Sequence, residues 1–200
     1  MKVMWLILKD LKVETRRCFE ILASISFVLI SSLLISYASH YTTIELIVPS
    51  LWLVITFIAV FTSTMSFTRE VDSKTLYGLK LLPISAQTVF ISKVVFTFIL
   101  IVIQGFIAVF ALVLFSGYIE LLKIIWIFLI FSAYISVVSA FSSALVMYSE
   151  GRGYLMPMLI FIFTVPILMA LIKQDLPVLI LEVTAMSCVI ISLASYVLEV

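Results

Sequence analysis

Residues 86–115 read AQTVFISKVVFTFILIVIQGFIAVFALVLF, thirty residues that carry one charge, Lys93. An α-helix rises 1.5 Å per residue, so about 20 apolar residues cross the roughly 30 Å hydrocarbon core of a bilayer. This stretch is longer than that, and its first turns, through Lys93, are expected to project from the membrane. Runs of the same kind lie on both sides of it. Upstream are Cys18–Ser39, interrupted only by Glu20, and Glu45–Phe67, with Pro49 in the first turn, where no helical N–H bond is lost. Downstream are Leu121–Met147, Tyr154–Ile172 with kinks expected at Pro157 and Pro166, and Leu176–Leu198 with Pro177 at its start. The predicted fold class is all-α: a polytopic membrane protein of six transmembrane helices forming one domain over residues 1–200.

Composition agrees. The chain is 64% hydrophobic and 12% charged, where soluble domains run near half apolar and a quarter charged. A net charge of +1 gives no case for nucleic-acid binding. Cys18 and Cys188 sit in different membrane environments, so neither a disulfide nor a metal-type spacing is expected. The N-terminal MKVMWLILKDLKVETRRCF is not read as a signal peptide: its apolar stretch is short, charges follow it, and no small-residue cleavage site appears. Trp5, Leu8 and Leu11 fall at helical spacing there, which predicts an interfacial helix over residues 1–17 with Trp5 at the lipid boundary.

The connections SHYTTIE, GYIELLK, SEGRG and KQD are short, so neighbouring helices run antiparallel. Orientation follows from lysine and arginine. Six spans with the N-terminus inside place Lys2, Lys9, Lys12, Arg16, Arg17, Arg69, Lys74, Lys80, Lys93 and Arg152 on one side, and only Lys123 and Lys173 on the other. This bias predicts a multi-pass protein of the cytoplasmic membrane with both termini in the cytoplasm.

The longest cytoplasmic connection, FTREVDSKTLYGLKLLPIS (67–85), gathers charge between two apolar runs. A short amphipathic helix is expected over about Ser73–Leu82, with Leu76 and Leu79 on one face, Asp72 or Ser73 capping its start and Pro83 ending it. Two readings stay open on these residues: a helix resting on anionic lipid, or a docking surface for a partner. Elsewhere the chain lacks a GxxxxGK[ST] loop, its Gly151-Arg152-Gly153 is a tight turn, and its single histidine rules out a His-based metal cluster or relay. No serine has a base partner. No enzymatic activity is expected, and any work must be powered by another subunit or a gradient.

Phe67, Arg69, Glu70, Thr75, Leu76, Leu79, Leu81 and Pro83, followed by Lys93, resemble the F-x-R-E-x4-T-L-x2-L-x-L-x-P pattern of ABC-2-type export permeases. More narrowly, they resemble the heme exporter protein B (CcmB-type) permeases of cytochrome c maturation. Lys9-Asp10-Leu11, Glu14 and Arg16 resemble that family's K-D-L-x2-E-x-R segment. Two departures stand out: members often carry glycine at the Lys74 position and an acidic residue at the Tyr77 position. The resemblance implies that residues 68–85 form a coupling segment that docks on a separate cytoplasmic ATPase. It implies that Arg69, Glu70, Asp72, Thr75, Leu76, Leu79 and Pro83 carry that contact, while Asp10, Glu14 and Arg16 brace the inner boundary. It further implies a homodimer or a related permease subunit, other heme-handling membrane subunits, ATP used only by the partner, no directly bound cofactor, and heme as cargo. An ABC-2 permease for another cargo (lipid, drug or glycan) and a non-transporting scaffold stay open beside it.

Glu182, a few residues into span six, is read either as part of a substrate path or subunit contact, or as a carboxylate reaching the outer interface or pairing with Lys173 or Lys123; the second reading is favoured. Gln104-Gly105 in mid-span is read as a close helix crossing in preference to a gating kink, with Gln104 a candidate on the same path. His40, beside Tyr37 and Tyr41, is read as an interface residue in preference to a heme ligand. Glu14 with Arg17 and Glu20 with Arg16 are expected to pair along their helices. Buried serines are expected to let helices approach closely.

Overall fold

The computed structural model describes residues 2–16, 18–39, 47–72, 74–75, 85–117, 121, 125–147, 149, 152–173 and 176–199. Among them there is no strand. The helices are α1 (Lys2–Arg16), α2 (Cys18–Ser39), α3 (Ile47–Ser63), a π-turn (Thr64–Thr68), α4 (Arg69–Asp72), α5 (Ala86–Ser116), α6 (Ile125–Val146), α7 (Arg152–Lys173) and α8 (Leu176–Glu199). Five stretches are long and apolar enough to cross a membrane: Phe19–Ala38, Pro49–Asp72, Ala86–Ser116, Ile125–Val146 and Pro177–Ala194. A sixth apolar stretch, Gly153–Met169, is shorter. The protein is thus a multi-pass membrane protein in which length and composition alone support five spans and one shorter apolar helix.

α6 lies at the centre, against α3, α5, α7 and α8. Its sequence explains why. Ser132, Ser136, Ser139, Ser142, Ser143, Ala140 and Ala144 are all buried, and such small side chains let neighbouring backbones come close. The stretches holding α3 and α6 are 72% and 67% buried, against 22% for those holding α2 and α8. The two inner helices therefore form the core, while α2 and α8 turn residues such as Leu29, Ile30, Leu33, Leu181, Val189 and Leu193 outward.

Polar contacts tie the helices together. The Ser139 hydroxyl donates to the Ala59 carbonyl of α3 (3.1 Å), Thr97 of α5 to the Ser136 carbonyl (3.2 Å), and Tyr134 to the Phe163 carbonyl of α7 (2.7 Å), just before Pro166. Trp52 of α3 meets Phe131 of α6 edge-on, with ring centroids 4.7 Å apart. At Gly105 of α5, a Cβ would fall 2.4 Å from the Phe128 ring of α6, so only glycine permits this approach. The close crossing expected at Gln104-Gly105 is what the structure contains.

α5 is capped at both ends. Ser85 accepts from the Thr88 N–H at its start. Gly117 closes its end in the left-handed region (φ +73°), donating to the Val113 carbonyl.

Candidate functional site

The second span does not end at Phe67. At Ser66 the backbone leaves helical geometry (φ −88°, ψ −116°), the π-turn takes up the disturbance, and the chain resumes as α4. Arg69, Glu70 and Asp72 therefore sit on a helical extension of the span and not on a loop. A break in a helix frees backbone donors, and buried donors must find acceptors. Here the acceptor is Ser143 of α6, whose hydroxyl oxygen takes the Phe67 N–H at 3.0 Å and the Thr68 N–H at 3.3 Å. The Ser66 hydroxyl itself is buried and has no partner among the described residues.

α4 then stops within one turn. Lys74 lies in the left-handed region (φ +56°). Its N–H bonds the Val71 carbonyl and the Thr75 N–H bonds the Glu70 carbonyl, both at 2.9 Å. This is the paired-bond helix stop in which glycine usually fills the left-handed position. Lys74 and Thr75 are not helical; the rest of the helix expected over about Ser73–Leu82 lies outside the described residues. Leu76, Leu79 and Pro83 lie outside the described residues.

The short helix carries two charged residues that meet most of the molecule's buried charge. The Arg69 guanidinium bridges Glu14 of α1 and Glu20 of α2 through its two Nη atoms. Glu70 Oε1 accepts from Lys9 of α1 (2.8 Å) and Lys93 of α5 (3.0 Å), and Oε2 accepts from the Thr75 hydroxyl (2.8 Å). Asp10 closes the ring, with one oxygen 3.2 Å from Lys9 and the other 2.9 Å from Lys93. Lys93 Nζ also stands 5.8 Å from the centroid of the Phe67 ring. Lys9, Asp10, Lys93 and Glu70 thus form an alternating, charge-balanced four-membered ring. They line a pocket of about 220 Å³ together with Ser66, Met65, Arg69, Thr75, Val13 and Phe96.

Burial makes this ring consequential. Asp10 is 8%, Glu70 7% and Lys93 3% exposed. Removing one partner from such a pair leaves a desolvated charge, which costs about 3–5 kcal/mol. Burial alone would lower the Lys9 pKa; the Glu70 hydrogen bond and the charges of Asp10 and Glu70 outweigh it and raise the pKa above its usual value.

Several placements depart from what the sequence suggested. Glu14 and Glu20 converge on Arg69, reached from α4; the Glu14–Arg17 pairing lies outside the described residues. Arg16 is exposed and joins no ion pair of this cluster. Within the first turns of α5, Gln87 and Ile91 are exposed while Lys93 is buried against the bundle. Lys9, Lys93 and Glu20 enter the site beside Asp10 and Glu14; a lone lysine in a long apolar run was itself a sign that a buried carboxylate awaited it. Nothing in the sequence singled out Ser66 or Ser143.

The remaining candidates lie elsewhere. Gln104 is buried with neither amide atom bonded among the described residues. Glu182 is half-buried, with Oε2 unpartnered among the described residues; its candidate partners, Lys123 and the Lys173 side chain, lie outside what is described. Cys188 is exposed, and His40 lies outside the described residues. Among the described residues no group of His, Cys, Asp and Glu side chains is arranged to hold a metal ion.

No curated protein matches the chain. The family model described as CcmB protein matches residues 1–197, nearly the whole length, whereas the sequence motifs covered two segments. A multi-pass helical chain that carries the Lys9–Arg16 and Phe67–Pro83 patterns, and matches that family over nearly its whole length, belongs to the CcmB (heme exporter protein B) family.

Proposed function

We infer that this chain is the permease subunit of an export complex that handles heme for cytochrome c maturation and is driven by a separate cytoplasmic ATPase. Family membership supports the heme assignment. One structural observation supports the mechanical role: the segment entering residues 76–84 is fastened to the bundle by charge. A force on that segment reaches Thr75, passes through its hydrogen bonds to Glu70, and spreads through Lys9, Asp10 and Lys93 to α1 and α5. Charge-assisted hydrogen bonds in a low-dielectric setting are stiff, about twice as strong as neutral ones, and so transmit displacement well. The chain needs no nucleotide site of its own in this arrangement.

In this reading the protein has six spans, with α7 as the fifth, and both termini lie in the cytoplasm. α1 lies in the inner interface. Its faces fit that position: Leu6, Asp10 and Glu14, four residues apart, are buried against the bundle, while Met4, Trp5 and Leu8 are exposed. Met4, Trp5 and Leu8 then rest in lipid. The expected assembly pairs two permease subunits with two ATPases and further heme-handling membrane subunits, with heme as cargo.

The test is co-purification with the cognate ATPase in detergent, comparing wild type with a Leu76→Arg/Leu79→Arg double variant. Wild type is expected to retain the ATPase. The variant is expected to insert normally and lose it. Retention by the variant, or no binding by wild type, would reduce residues 67–85 to a lipid-surface element and favour a scaffold.

A further inference from the structure

The π-turn divides span two into parts held by different forces. Upstream, α3 packs against α2, α5, α6 and α7 through apolar and neutral polar contacts such as Trp52–Phe131 and Ser139–Ala59. Downstream, α4 is held by α1, α2 and α5, through Arg69 and Glu70. Between them, the irregular backbone at Ser66 is stabilised by one side chain from another helix, Ser143. Ser142, its neighbour, is equally buried, yet its hydroxyl has no partner among the described residues.

We propose that Ser143 is a positioning residue for coupling: its hydroxyl holds the π register of span two, and that register aims Arg69 and Glu70 at the charges of α1, α2 and α5. An α-helix turns about 100° per residue. Losing the extra residue of the π-turn therefore swings everything downstream through about that angle. Arg69 would leave Glu14 and Glu20, and Glu70 would leave Lys9 and Lys93. The empty space beside Ser66, in the 220 Å³ pocket, gives the backbone room to make this change. The π-turn is then a two-position joint, and Ser143 sets its resting position. The functional half of this inference rests on the proposed coupling to an ATPase; the structural half does not.

Residue-resolved hydrogen exchange on the full chain in lipid nanodiscs tests the structural half. Ser143→Ala removes the acceptor for two amides, each bond being worth roughly a factor of ten in opening. The Phe67 and Thr68 amides are expected to change protection at least tenfold, and Arg69–Asp72 to change with them as the register shifts. Ser142→Ala is expected to leave all six within twofold of wild type. Protection in Ser143→Ala unchanged from wild type, or altered at Phe67 and Thr68 alone, overturns the proposal. If Ser143→Ala does not insert, Ser143→Cys keeps the size with a poorer acceptor, and the same two results decide.

The functional half is read in the complex. Ser143→Ala is expected to hold the ATPase at wild-type stoichiometry while ATP turnover loses at least fivefold of its response to the permease, and Ser142→Ala to behave as wild type. A wild-type response in Ser143→Ala overturns the positioning role. Failure of the wild-type chain to bind any ATPase would instead remove the proposed function and leave the exchange result standing.

Discussion

Two joints hold this bundle, and they use opposite physics. At one, α4 meets α1, α2 and α5 through seven charged side chains, Lys9, Asp10, Glu14, Glu20, Arg69, Glu70 and Lys93. At the other, α5 crosses α6 without charge, with Gly105 set against the Phe128 ring and Thr97 bonded to the Ser136 carbonyl. Shape complementarity has one answer, and a misfit there costs energy in every state. A ring of alternating charges has several: Glu70 can exchange one lysine for another, and Arg69 one carboxylate for another. The apolar crossing suits a fixed frame, and the charged cluster suits a joint that must move and re-form.

The contrast is sharpest where a charge is removed. Lys93→Met leaves Asp10 and Glu70 to share Lys9, and is expected to destabilise the protein by about 3–5 kcal/mol in detergent melts. Lys93→Arg, which keeps the charge, is expected to recover part of that. A Lys93→Met loss below about 1 kcal/mol would mean that water already reaches the ring. At the apolar joint, Gly105→Ala is expected to cost about 1–3 kcal/mol, because the Phe128 ring is fully buried and has nowhere to withdraw. Salt should not alter that cost, and a neutral Gly105→Ala would show that the crossing is loose. The smallest effect is a gain. Lys74→Gly relieves a left-handed residue at the end of α4 and is expected to add about 0.4–1 kcal/mol, read as a rise in melting temperature.

That last position shows what a sequence carries and what it hides. The spans were legible because apolar run length is a property of the chain itself: Cys18–Ser39 and the start of α5 at Ala86 stand where composition places them. The end of span two was not. Serine at position 66 reads the same in a regular helix and in a π-turn, and the acceptor of the freed amides, Ser143, lies far along the chain. Lys74 stands where the family resemblance leads one to expect glycine. The backbone gives it a physical meaning: that position needs φ above zero. The partner of Glu20 was hidden for a similar reason. Spacing along the chain makes Glu20 and Arg16 natural partners, yet the half-buried Arg69 is the cation beside Glu20 and Glu14, and no local rule reaches across about fifty residues.

The central claim is that the Glu70–Lys93 contact ties the segment after span two to the bundle. It is tested most directly by comparing the stability of wild type, Glu70→Gln, Lys93→Met and the double variant. The double variant leaves Lys9 and Asp10 as a balanced pair. It is therefore predicted to be more stable than Lys93→Met alone, with a coupling of about 1–3 kcal/mol between the two sites. Additivity of the two single changes within about 0.5 kcal/mol would contradict the account, since it would mean that Glu70 and Lys93 do not feel each other.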